Sequence, residues 1–138
     1  MSKQYWLMKS EPDVFGWDDL VKDGSGMWDG VRNHSAKLNM KAMKSGDEVI
    51  FYHSNIGREA VGIMKITDEA YPDPTADEGS PWVVGGVEPV RKLKRAISLA
   101  EFKADPRFAD MDLIKYMRLS VGKIKPEEWQ AIMELAGE

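Results

Sequence analysis

Gly46-Asp47-Glu48-Val49-Ile50-Phe51-Tyr52-His53-Ser54 is the stretch that decides the fold. Gly46 and Asp47 signal a turn, and the β-branched and aromatic run Val49–Tyr52 has the composition of a buried strand. Side chains alternate across a strand, so Val49, Phe51 and His53 share one face, and Ile50, Tyr52 and Ser54 share the other. Both faces begin apolar and end polar at the same end. That pattern predicts a central strand whose far end opens into a polar pocket. A second aromatic and polar cluster, Met27-Trp28-Asp29-Gly30-Val31-Arg32-Asn33, lies upstream, and the reading sets the two stretches side by side with a pocket between them.

Around this strand the chain reads as short elements. Tyr5–Ser10 is a first strand, and residues 14–21 form a short helix with Gly24 beyond its end. Gly24-Ser25-Gly26 is a flexible approach to Trp28. Ala36, Met40 and Met43 mark one apolar helical stripe between Ser35 and Met43. Asn55–Glu59 is a hairpin loop, Ala60–Thr67 its second strand with a bulge at Gly62, and Tyr71–Pro81 a loop. Trp82–Lys94 is extended, with Pro89 at an edge or bulge. Ser98-Leu99-Ala100-Glu101 is a capping box, Tyr116–Lys123 has strand character, and Pro126 opens a last helix carrying Trp129 inward. Five to six strands in mixed order with short helices give α+β, as a small, partly closed barrel with helices packed around it, in one domain over residues 1–138.

Composition limits the function. The chain has 138 residues, 43% of them hydrophobic, a net charge of −4 and no cysteine. Disulfides, thiolate metal sites and a cysteine nucleophile are excluded. The acidic balance argues against indiscriminate polyanion binding. No apolar run approaches the ~20 residues of a membrane span, and Met1–Trp6 has no signal-peptide core. The expected location is intracellular, cytoplasmic in a bacterium, and the oligomeric state stays open.

No catalytic constellation stands out, and His34 and His53 have no metal-ligand spacing. His53 at a strand end reads first as a hydrogen-bonded structural histidine. Trp6, Trp17 and Trp129 occupy core-like positions. Trp28 lies where no regular element buries it, and two readings stand level: a plug for the end of the barrel, or a flat face for a ligand. Arg91, Lys92, Lys94 and Arg95 place four cations in five residues. They read either as an edge strand guarded against aggregation, the favoured reading, or as phosphate contacts.

Beyond these patterns, Tyr5-Trp6-Leu7-Met8-Lys9-Ser10-Glu11-Pro12 resembles the opening signature of the EVE domain family. Trp28-Asp29-Gly30-Val31-Arg32-Asn33 matches its W-x-G-V-R-N motif. Met43–Asp47, Phe51–Ser54, Tyr71–Asp73 and Arg118–Val121 follow in the family's order. Gly16 departs from the family, in which a helix-capping serine is common there. The resemblance implies a PUA-like pseudo-barrel, similar to YTH domains, that has no catalytic residue and no cofactor. It implies binding of a modified base, above all modified cytosine in DNA, with RNA as the alternative partner. Trp28 and Tyr52 would then supply aromatic faces, with Trp82 closing the site from the far loop. Asn33, Ser54, Lys9 and Ser10 would read polar edges, and Arg32 would orient the loop or meet a phosphate. His53, Tyr71 and Arg118 would form the rim. An enzyme, or an enzyme accessory, acting on a small nucleotide-like molecule is the competing class. Since no ligand cluster supports a metal, elemental analysis of purified protein is expected to find no stoichiometric zinc or iron, and tightly held metal would overturn that.

Overall fold

The computed structural model describes residues 3–28, 31, 33–74, 76–116 and 118–138. Among them, six strands form one mixed sheet in the order β2-β5-β4-β3-β1-β6. The strands are β1 (Tyr5–Ser10), β2 (Gly26–Trp28), β3 (Glu48–His53), β4 (Glu59–Pro72), β5 (Val83–Ser98) and β6 (Val121–Ile124). The helices are α1 (Pro12–Phe15), α2 (Trp17–Asp23), α3 (His34–Ala42), α4 (Leu99–Ala104), α5 (Asp112–Lys115) and α6 (Pro126–Ala136). The architecture is the expected α+β. The sheet has two free edges, β2 and β6, so the barrel is open. α3 packs on β6 at one edge and on β5 and β4 toward the other, and Asn39 Nδ2 donates to the Val121 carbonyl at 2.7 Å.

β3 lies inside the sheet, parallel to β1 and antiparallel to β4. Its alternation divides two cores. On one face Phe51 and Val49 join Trp6, Met8, Trp17, Leu20, Trp28, Met40 and Met64. On the other, Ile50 and Tyr52 join Leu7, Ile63, Phe102, Phe108, Trp129 and Ile132. The stripe Ala36, Met40, Met43 is buried as its spacing requires. Pro89 stands where the β4–β5 register shifts, between Ile63 and Met64, so its missing donor falls at a bulge.

Several local elements differ from the sequence reading. The helix expected over 14–21 is two helices broken at Gly16. Pro12 takes the first position of α1, and the Asp19 carboxylate accepts the Gly16 amide at 2.7 Å. The Asp19 carboxylate thus makes the return half of a capping box, while Gly16 has no side chain to accept the Asp19 amide as a serine would. Tyr71 and Pro72 extend β4 rather than the loop. Most of Tyr116–Lys123 is not strand. The Tyr116 amide bonds back to Asp112 at 2.8 Å, ending α5, and the Asp112 carboxylate accepts the Lys123 amide at 3.0 Å. Only Val121–Ile124 pairs, with β1; Met117, read as part of that strand face, lies outside the described residues. The capping box at Ser98 and the proline start of α6 form as read.

Trp28 is the largest correction. It does not sit in an open loop: it ends β2, opposite Gly85 of β5, and is 7% exposed. Its ring meets Phe51 edge-on at 5.4 Å and Phe15 at 6.3 Å. Trp28→Ala is therefore expected to cost ~3–5 kcal/mol of folding stability, read from denaturant unfolding; a loss below ~1 kcal/mol would contradict the packing. Gly62, where the β4 register breaks, lies under Trp17, and a Cβ there would stand 2.6 Å from the ring. Gly62→Ala is expected to cost ~1–3 kcal/mol through overpacking, seen as a lower midpoint in the same unfolding assay.

Candidate functional site

β1 and β3 run parallel with Lys9 opposite Tyr52 and Ser10 opposite His53. Their carboxyl ends therefore finish together, and alternation sends Lys9 and Tyr52 to one face and Ser10 and His53 to the other. The Ser54 amide closes this end on the Ser10 carbonyl at 2.9 Å. Clefts open on both sides of the junction.

On the Ser10 side is a cleft of about 520 Å³ lined by Lys9, Ser10, Val14, Phe15, Asp23, Gly26, Met27 and Trp28. The perpendicular rings of Phe15 and Trp28 make its aromatic wall. Met27 and Val14 are exposed apolar residues of its lining. Ser10 Oγ donates to the Phe15 carbonyl at 2.6 Å, which leaves its lone pairs able to accept from a ligand. An aromatic wall facing a hydroxyl and a carboxylate suits a flat, polar-edged molecule.

On the Tyr52 side a smaller cleft, about 220 Å³, is lined by Lys9, Tyr52, Ser54, Asn55, Arg58, Leu99 and Leu113. Burial holds the Lys9 ammonium below its usual range and pushes the Tyr52 hydroxyl up to about 12. A third cleft, about 670 Å³, runs between α3 and the segment after α5. Asn33, Ser35, Leu38, Asn39, Asp112, Tyr116, Arg118 and Leu119 line it. Asn33 Oδ1 accepts the Ala36 amide at 2.9 Å and so caps α3. The Lys9 amide donates to the Ser120 carbonyl at 2.8 Å, which ties the segment after Arg118 to β1.

The residues expected to form one pocket are thus divided. Lys9, Ser10 and Trp28 border the first cleft; Lys9, Tyr52 and Ser54 border the second; Asn33 and Arg118 border the third. Trp28 and Tyr52 stand on opposite faces of the sheet and cannot wall one cage together. The two stretches do meet, but through Phe51. Trp82 meets the tilted ring of His34, ring centres 5.0 Å apart, with Lys37 Nζ 5.9 Å away, and it lines none of the three clefts. Tyr71 sits near the end of β4 opposite Val84, also outside them. Arg32, with Asp29 and Gly30, lies outside the described residues. His53 Nε2 accepts the Trp17 amide at 3.0 Å, and burial lowers its pKa; it serves as a neutral support for α2.

The basic strip lies along β5 beside the end of α6. Arg91 pairs with Glu138 at 2.7 Å, and the Lys94 amide donates to the same carboxylate at 3.0 Å. Arg95 pairs with Glu101 at 2.6 Å and donates to the Leu135 carbonyl at 3.0 Å. Among the described residues no group of three or more His, Cys, Asp or Glu side chains is placed to hold a metal ion. Sequence reasoning missed Phe15, Arg58 and Tyr116. Phe15 had a signal in its place just before the Gly16 break and Arg58 in the hairpin it shares with Ser54 and Asn55, whereas Tyr116 meets Asn33, Ser35, Leu38 and Asn39 across its cleft only through non-local packing.

The family model described as EVE domain matches residues 4–135. The chain is 37% identical to mouse thymocyte nuclear protein 1 over 164 aligned positions, covering 95% of this chain and 73% of that protein. The NMR structure of Rpa0253 from Rhodopseudomonas palustris is similar at 50% identity and a TM-score of 0.91, covering 97% of this chain and 93% of the other. The crystal structure of human THYN1 protein in complex with 5-methylcytosine-containing DNA is similar at 34% identity and a TM-score of 0.88, covering 99% of each chain. With a match that runs through all six strands, the chain belongs to the EVE domain family.

Proposed function

We propose that this protein binds DNA containing modified cytosine, taking the modified base into the cleft walled by Phe15 and Trp28. That aromatic cleft at the end of β1 is the observation that carries the reading. It is supported by the likeness over 99% of both chains to the human protein crystallised with 5-methylcytosine-containing DNA. Removing a base from its stack costs a few kcal/mol, and contact with an aromatic face returns ~1–3 kcal/mol. A buried methyl group adds only ~0.8 kcal/mol, about a fourfold preference. Tighter selection needs polar groups that a wrong base leaves unpaired, and Ser10 Oγ stands in the cleft for that work.

In this reading the protein is a binder without a catalytic step. His53 is committed to the Trp17 amide, and among the described residues no nucleophile–base pair joins it at the cleft. Arg118 and Asn33 flank the path of the strand, and Arg91, Lys92, Lys94 and Arg95 add phosphate contacts that position without reading. A DNA partner makes the working location intracellular.

The test is a titration panel of oligonucleotides carrying cytosine, 5-methylcytosine, 5-hydroxymethylcytosine or N6-methyladenine. A modified cytosine is expected to bind tightest. Ser10→Ala is expected to narrow its lead over cytosine by ~1 kcal/mol, roughly fivefold, with total affinity less affected. Neutralising the four strip residues should weaken every oligonucleotide alike and flatten the salt dependence. Equal binding of all four bases would defeat the reading.

A further inference from the structure

We propose that the smaller cleft, on the opposite face of the sheet, is a phosphate-binding site built from Lys9, Arg58, Tyr52 and Ser54. Two cations and two hydroxyls line about 220 Å³, with Leu99 and Leu113 as apolar walls. Among the described residues no carboxylate is part of that lining. Among the described residues Arg58 has no carboxylate partner. Of the nearby acids, Glu11 accepts from Asn55 Nδ2 at 3.4 Å, and Glu59 stands opposite His53 in the ladder, its charge opposing that of Arg58 at the Tyr52 hydroxyl. A guanidinium beside an ammonium, with hydroxyl donors between apolar walls, suits a tetrahedral oxyanion attached to carbon.

The hairpin that carries this site is held in an unfavourable backbone conformation. Asn55 has φ 69° and Arg58 has φ 45°. The second is costly for a residue with a Cβ that is not asparagine. The Arg58 carbonyl accepts the Leu99 amide at 2.9 Å, which pins it there. Glycine or asparagine would hold that turn with less strain, and the residue in that costly conformation is one that lines the cleft. Burial disfavours the Lys9 charge and keeps the Tyr52 hydroxyl protonated as a donor.

The phosphate has two sources, a nucleic-acid backbone or a free phosphate compound. In its DNA form the proposal rests on the modified-base reading: the two clefts flank the same end of β1, so a strand crossing that end presents a base to one side and a phosphate to the other. The experiment follows backbone amide signals of ¹⁵N-labelled protein during titration with inorganic phosphate at fixed ionic strength, then with a short unmodified oligonucleotide. Saturable shifts at residues 54–58 are expected. Arg58→Asn, which tolerates the left-handed backbone, and Lys9→Met are each expected to weaken that binding roughly tenfold. Saturation by inorganic phosphate alone assigns a free phosphate compound, and saturation only by the oligonucleotide assigns the backbone. The proposal is overturned if neither ligand moves these amides saturably, or if either variant binds as the parent does. Loss of base preference in the oligonucleotide panel with these shifts intact would remove the base reading and leave the phosphate site standing.

Discussion

One buried carboxylate sets the register on which the clefts depend. Asp47 is 4% exposed and accepts the Lys44 amide at 2.9 Å, Trp6 Nε1 at 3.1 Å, the Gln4 amide at 3.2 Å and Gln4 Nε2 at 3.4 Å. Burying a charge is costly unless its hydrogen bonds are met, and here donors come both from the turn before β3 and from the start of β1. The carboxylate thereby locks two strands that are parallel and far apart in sequence. A slip of one residue would turn every side chain to the other face. Ser10 would leave the aromatic cleft for the face of Tyr52.

The same constraint explains how much of the molecule was legible in the sequence. Val49–Tyr52 announced itself by composition, Ala36, Met40 and Met43 by spacing, and Ser98 and Pro126 by local capping chemistry. In each case the deciding interactions lie within a few residues. Trp28 was misjudged because its strand exists only through Gly85 and its neighbours in β5; flanked by glycines, it has no local sign of pairing. Residues 116–120 alternate like a strand, yet the hydrogen bond from Tyr116 to Asp112 holds their start in a helical end.

Some of the residues that border the clefts were legible in the sequence, and their division among three clefts was not. Alternation correctly placed Tyr52 and Ser54 together, but nothing local told which face of β3 would meet Trp28. Phe51 does, because both belong to the core on the α2 side of the sheet. The aromatic chemistry expected near this end is therefore present with Phe15 in the place given to Tyr52. The open sheet matters here too. With β2 short and at an edge, Met27 and Trp28 line a cleft instead of vanishing into a sealed barrel.

β1 lies between β3, from the middle of the chain, and β6, which is the last strand. The order of assembly follows. The hairpin of β3 and β4 and its extension to β5 are joined by neighbours in sequence, and pairings of that kind close quickly; the two ladders of β1 span long loops and close slowly. On its outer side the strand bearing Lys9 and Ser10 is held, among the described residues, by residues 120–124. Both clefts take residues from the end of β1, so a molecule in which that strand has not docked has no finished surface to offer a ligand.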